Sequence, residues 1–170
     1  MDLEISGKVA LITGSNRGIG KATAITLSKE GVNIALLARN EDLLIETKNE
    51  ISKASSDIKV EYFICDTKDN EQVRKTVLEI EKEFGKIDIL VNCAAALPEE
   101  STLENFDEDK LFEQIDVKVS GYIRCAKNVA PIMKKNGWGR IINISGLNAR
   151  SSGNLIGSIR NISVSSMTKN

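Results

Sequence analysis

The 170-residue sequence contains no histidine. That excludes catalysis by Ser-His-Asp or Cys-His arrangements and removes the commonest metal ligand. Cysteine is scarce: Cys65, Cys93 and Cys125 are odd in number, far apart and without a Cys-x-x-Cys pair. Neither a disulfide framework nor a metal site is expected, and a reducing, cytoplasmic location fits best. Neither sign of charge is in excess, with a net charge of −1, so there is no electrostatic argument for nucleic acid or an anionic membrane as partner. No apolar run approaches the ~20 residues of a membrane span. The opening MDLEISGKVALITG lacks the basic start and long apolar stretch of a signal peptide. No repeat period or low-complexity linker interrupts the chain. What remains is an ordinary globular composition, 41% hydrophobic and 28% charged, and a single domain over 1–170 is expected.

The informative stretch is Gly7 to Gly20, GKVALITGSNRGIG. Val9 to Ile12 is a compact run of strand formers. Gly14-Ser15-Asn16-Arg17-Gly18-Ile19-Gly20 follows at once, and a helical pattern begins near Lys21. A helix N-terminus presents unsatisfied N–H groups and the positive end of the macrodipole, so it receives phosphate. Glycines in the turn allow the backbone to approach a pyrophosphate and the helix to pack on the strand. The spacing is Gly-x-x-x-Gly-x-Gly. Alone it is a weak signal; between a strand and a helix it is a specific one.

The same alternation continues. Gly31 ends the first helix, and Val32 to Ala38 reads as a buried strand. A helix is expected from the polar Arg39–Asp42 stretch to about Ala54, with Leu43, Leu44, Thr47 and Ile51 at helical spacing. Lys59 to Cys65 is a third strand, and Asp69 or Asn70 caps the next helix. Val73, Val77, Ile80 and Phe84 form one face of that helix, and Gly85 stops it. Ile87 to Val91 is a fourth strand, followed by a polar loop containing Pro98. A long helix is expected over about Glu108 to Lys135, a fifth strand over Arg140 to Ile144, and a last helix from near Asn154 that is still running at Asn170. Five strand–helix alternations predict an α/β fold, a doubly wound parallel sheet of Rossmann-like type. Ligands of such sheets lie at the carboxyl ends of the strands. Those ends are Thr13, Arg39, Asp66, Asn92 and Ser145, all polar.

These residues resemble the classical short-chain dehydrogenase/reductase family over essentially the whole chain. Thr13-Gly14-x-x-x-Gly18-Ile19-Gly20 is similar to its cofactor turn, Asp66 to its adenine-contacting aspartate, and Asn92-Cys93-Ala94-Ala95 to its Asn-Asn-Ala-Gly segment. Gly139 to Ser145 is similar to its fifth strand. The resemblance implies an oxidoreductase acting on the carbonyl or alcohol group of a small-molecule substrate. It implies a dinucleotide held by Gly14, Ser15, Asn16, Arg17, Gly18, Ile19 and Gly20 at the pyrophosphate. Asp66 and Thr67 would meet the adenine, and Asn92 and Ala94 would line the ribose side. NAD-preferring members carry an acid at the end of the second strand; here Ala38 and Arg39 stand there. A guanidinium pairs with a 2′-phosphate that a carboxylate repels, so NADP(H) is expected over NAD(H), with Arg17 as a second positive contact. Homo-oligomerisation through the long and last helices is a further implication.

The family's catalytic set is not carried over. Its tyrosine acts as general acid, a lysine four residues later lowers the phenol's pKa, a serine polarises the carbonyl, and an asparagine anchors a water. Lys118 stands at the asparagine position, and the serine pair reads Ser145-Gly146. Anchoring the last helix on Met167-Thr168-Lys169 puts Gly157 at the tyrosine position and Asn161 at the lysine position; an ungapped reading gives Ile159 and Ser163. Tyr122, one turn beyond Lys118, is expected to pack rather than react, and Arg160 stays protonated near neutral pH. Ser145 is the leading catalytic candidate, with Lys118 behind it. The alternative is a dinucleotide-binding module or partner subunit without hydride transfer, because losing a positioned general acid typically costs ~10²–10⁴-fold in rate. Relative to the family pattern, the strands that would follow the last helix are missing, which would leave the fifth strand near an edge.

Overall fold

The computed structural model describes residues 3–96 and 101–170. Part of the loop expected around Pro98 lies outside the described residues. Five strands are assigned: β1 (Val9–Thr13), β2 (Asn33–Ala38), β3 (Val60–Ile64), β4 (Ile89–Asn92) and β5 (Arg140–Asn143). They form one parallel sheet in the order β3-β2-β1-β4-β5. The helices are α1 (Gly18–Lys29), α2 (Glu41–Ala54), α3 (Asn70–Phe84), α4 (Glu108–Ile115), α5 (Gly121–Lys135) and α6 (Leu155–Met167).

Alternation along the strands sorts the core into two layers, because successive side chains of a strand point to opposite faces. Ala10, Ile12, Ile34, Leu36 and Val91 pack with Ala24 of α1 and with Leu44 and Ile51 of α2. Leu11, Ala35, Leu37 and Leu90 pack on the other face with Val73, Val77 and Ile80 of α3 and Val129 and Ile132 of α5. Helices on both faces explain why the central strands read as near-continuous apolar runs. The strand order reverses between β1 and β4. A crevice opens at such a point beyond the carboxyl ends of the strands.

Three local details differ from the expectation. Helix α1 begins at Gly18 instead of Lys21, inside the glycine turn. The long helix is broken into α4 and α5 by a π-helical turn at Asp116–Ser120. A π turn inserts an extra residue, so the inward stripe is re-phased there. Both Lys118 and Tyr122 are buried as a result. The last helix ends at Met167 and does not run on to Asn170; no glycine marks that end, so the sequence carried no stop signal. Asp69, not Asn70, caps α3, its carboxylate accepting from the N–H groups of Glu71 and Gln72.

β5 forms one edge of the sheet, and Ile141 and Ile142 are 37% and 46% exposed. Among the described residues no helix is long and apolar enough to cross a membrane. No group of three or more His, Cys, Asp or Glu side chains is placed to hold a metal ion among them either.

Candidate functional site

The turn after β1 is shaped by close backbone contacts. Gly14 has φ +64°, and a Cβ there would lie 2.9 Å from the Cα of Ala94. The Thr13 hydroxyl accepts from the N–H groups of Cys93 and Ala94 at 2.9 and 3.0 Å, pinning the end of β4 beside the turn. The Ser15 hydroxyl accepts from the Leu37 N–H at 2.8 Å, which ties the turn to β2. A Cβ at Gly20 would overlap the Gly14 carbonyl, so α1 sits directly on the turn only because residue 20 is glycine.

The N-terminus of α1 is left open. Asn40, Asp69, Asp107 and Asn154 cap α2, α3, α4 and α6 with their side chains. At α1 the N-cap is Arg17, without a side-chain cap bond, and the first turn carries no acid. Its N–H donors and dipole are therefore available to an anion.

This end of α1 faces a cleft of about 480 Å³, within the ~300–1,000 Å³ usual for small-molecule sites. Gly14, Asn16, Arg17 and Gly18 form one wall, Ala38, Arg39 and Asn40 a second, and Asp66 and Thr67 a third. Cys93, Ala94, Ala95 and Ala96 close the side at β4, and Val117 reaches in from the π turn. Arg39 is 66% exposed and pairs with Asp66 at 3.7 Å. Open helix donors and a glycine cradle that a Cβ would fill fit the pyrophosphate of a dinucleotide, and two guanidinium groups stand at the wall.

Not every predicted contact lines this cleft. Ser15 and Asn92 are fully buried behind it. The Asn92 amide donates to the Tyr122 carbonyl at 3.3 Å and the Asn143 side chain at 2.9 Å, joining β4, α5 and β5. Ile19 is exposed and Gly20 is packed on the turn; neither is among the lining residues. Cys93, Ala95, Ala96 and Val117 line the cleft without having been singled out as contacts. The position of the β4 loop beside the turn was a usable signal for the first three; Val117 depends on the π turn and had none.

Ser145 and Lys118 do not line the cleft, but the fold joins them. The Lys118 ammonium donates to the Ser145 carbonyl at 2.9 Å and to the Asn161 side-chain oxygen at 2.8 Å. The Ser145 hydroxyl donates to the Asn161 carbonyl at 2.8 Å and lies 3.2 Å from the Ser165 hydroxyl. Burial, together with the nearby Arg160 guanidinium, lowers the Lys118 pKa to about 8. Burial also raises the Cys93 thiol. Lys118 and Asn161, 43 residues apart, meet only through packing.

The inward pair on α6 is Gly157 and Asn161; Ile159 is exposed. A Cβ at Gly157 would meet the Asn154 side-chain oxygen at 2.6 Å, because that oxygen caps the Gly157 N–H. Tyr122 is 1% exposed, its hydroxyl donates to the Ile144 carbonyl at 3.1 Å, and burial drives its pKa strongly upward. This is a packing tyrosine.

Sheet, cradle and cleft together define a doubly wound dinucleotide-binding fold. The sequence agrees: residues 8–157 match the family model for short chain dehydrogenases, and the chain belongs to that family. It is 31% identical over 138 residues to a 3beta-hydroxysteroid dehydrogenase of Mediterraneibacter gnavus, an alignment covering 81% of this chain and 49% of the relative. It is 36% identical over 143 residues to a 7alpha-hydroxysteroid dehydrogenase of Clostridium sardiniense, covering 83% and 54%. Among solved structures, L-sorbose reductase from Gluconobacter frateurii, complexed with NADPH and L-sorbose, superposes with a TM-score of 0.92 at 32% identity. That match covers 99% of this chain and 64% of the reductase. An NAD+-bound xylitol dehydrogenase superposes with a TM-score of 0.89 at 28% identity, covering 98% and 63%. The chain thus spans about half the length of those two curated relatives and under two thirds of the solved structures.

Proposed function

We propose that this chain is the dinucleotide-binding part of an NADP(H)-dependent oxidoreductase acting on the carbonyl or alcohol group of a small molecule. The observation that carries the reading is the uncapped, acid-free N-terminus of α1 at a cleft whose walls hold Arg17 and Arg39. The α1 N–H groups and the glycine turn receive the pyrophosphate. Arg39, released from Asp66, takes the 2′-phosphate with Arg17 beside it, and Asp66 and Thr67 meet the adenine side. When bound, a reduced nicotinamide supplies hydride. Ser145 would orient the substrate oxygen, and Lys118 would hold the proton that this oxygen needs.

Calorimetric titration with NADPH and, separately, NADH tests the cofactor. Tight NADPH binding with weak NADH binding is the expected result; equal affinity overturns the role of Arg39, and no binding of either overturns the reading.

One observation favours a second reading, a binding module without turnover. The tyrosine position is occupied by Gly157, where the Asn154 cap leaves no room for a side chain, and the Tyr122 hydroxyl is committed to Ile144. Steady NADPH oxidation with a panel of ketones and quinones, lost in Ser145→Ala and Lys118→Met, decides for the enzyme. Binding without oxidation decides for the module.

A further inference from the structure

Among the described residues, two buried cations, Lys118 and Arg160, stand near one another without a matching acid. Lys118 is 5% and Arg160 9% exposed. Among the described residues neither makes an ion pair. The partners of Lys118 are the Ser145 carbonyl and the Asn161 amide oxygen, and Arg160 donates to the Gln114 side-chain oxygen. The Arg160 Nε–H is buried and has no hydrogen-bond partner. Leaving a charged donor unpaired in a low-dielectric site is costly. Arg160 lines a crevice between α4 and α6 with Lys110, Gln114, Asn154, Ile156 and Gly157. The crevice has room for one water-sized occupant, about 10 Å³.

We propose that this crevice binds a single small monovalent anion, a halide or the oxygen of a small carboxylate, on Arg160. Positive charge selects an anion over a neutral water, and size rejects phosphate or sulfate. The site is separate from the dinucleotide cleft, whose lining shares none of these residues.

The anion's effect reaches Lys118. The titratable groups that act on its ammonium are Arg160 on α6 and Cys93 just beyond β4, and Tyr122 on α5 stands near both of those. Cys93 and Tyr122 are held neutral by burial. Arg160 is therefore the neighbouring charge that works against the ammonium, after burial itself. An anion on Arg160 offsets that field and raises the proton affinity of Lys118. If the proposed function holds, the anion keeps the proposed proton donor loaded at neutral pH.

The test is an NMR titration of the Lys118 side chain in the dinucleotide-free chain at constant ionic strength. Chloride, formate and sulfate serve as separate probes. A saturable rise in the Lys118 midpoint of about half a pH unit or more is expected with chloride or formate and not with sulfate. Arg160→Gln should abolish the response. Should that variant fail to fold, Arg160→Lys keeps the charge, lacks the Nε donor and should weaken the response severalfold. Bromide should give an anomalous diffraction peak in the crevice. No saturable response to either small anion overturns the proposal. So does an equal response to sulfate, an unchanged response in the Arg160 variants, or a crevice holding water alone in bromide. Dinucleotide affinity enters none of these readouts, so failure here is distinct from failure of the cofactor reading.

Discussion

Arg39 and Lys118 show how differently one positive charge behaves in water and in a packed interior. Arg39 is mostly exposed, and its contact with Asp66 is a loose surface pair. Such pairs are worth ~0–1 kcal/mol, so a dianionic phosphate can draw the guanidinium away. A hydrogen bond to a charged group is worth roughly 1.5–3 kcal/mol. Arg39→Ala should therefore weaken NADPH binding by about ten- to a hundredfold and leave NADH binding nearly unchanged, which parallel calorimetric titrations check. Lys118 is the opposite case. Its folded pKa of about 8 lies below the ordinary 10.5. Between those values the unfolded chain binds the extra proton, so stability rises with pH across that window and is lost as pH falls through the folded value. Denaturant unfolding from pH 8 to 10.5 should show this gain in the native chain, and Lys118→Met should lack it.

Among the elements, β1 with α1 is the unit whose geometry tolerates least change. Gly14 combines φ +64° with a backbone neighbour 2.9 Å from where a Cβ would stand. The left-handed conformation alone costs a side chain roughly 1–2 kcal/mol, and the clash with Ala94 adds to it. Gly14→Ala should lower the melting temperature by several degrees, because ~1 kcal/mol moves a domain of this size by about 2–4 °C. It should also abolish dinucleotide binding; unchanged melting would show that the turn relaxes. At α6 the side chain of Asn154 accepts from the Gly157 N–H. Loss of such a cap costs about 0.5–2 kcal/mol. Asn154→Ala should show that loss in a urea titration and should free the space at Gly157 that the cap occupies.

Across the whole molecule, the cleft is built from the ends of β1, β2 and β4, the loop after β3 and the π turn, so an occupant bridges segments distant in sequence. A ligand that binds only the folded state stabilises it by about 2.7 kcal/mol at a hundred times its dissociation constant. Saturating NADPH should raise the melting temperature by several degrees and NADH by much less; equal shifts would contradict the Arg39 reading. The exposed β5 edge contributes little to this bridging, since the cleft lies on the other side of β4.

The chain alone was sufficient for the order and kind of its elements, because the signals are local. Short continuous apolar runs such as Val9–Ile12, a 3.6-residue stripe such as Val73, Val77 and Ile80, and stops at Gly31 and Gly85 each act within a few residues. The glycine turn was legible for the same reason, since its strand, turn and helix are contiguous. So was the lack of Tyr-x-x-x-Lys spacing. Packing alone decided the rest. The π turn that buries Lys118 answers to its neighbours, not to a residue code. The Lys118–Asn161 contact closes a gap of 43 residues, and the open end of α1 emerges only when its uncapped N-terminus is set beside four capped ones. Asn92 and Ser15 stand at positions where ligand contacts are expected, and only packing shows them buried. The Ser15 hydroxyl accepts from the Leu37 N–H and the Asn92 amide donates to Asn143, while the Asn92 side-chain oxygen has no hydrogen-bond partner among the described residues.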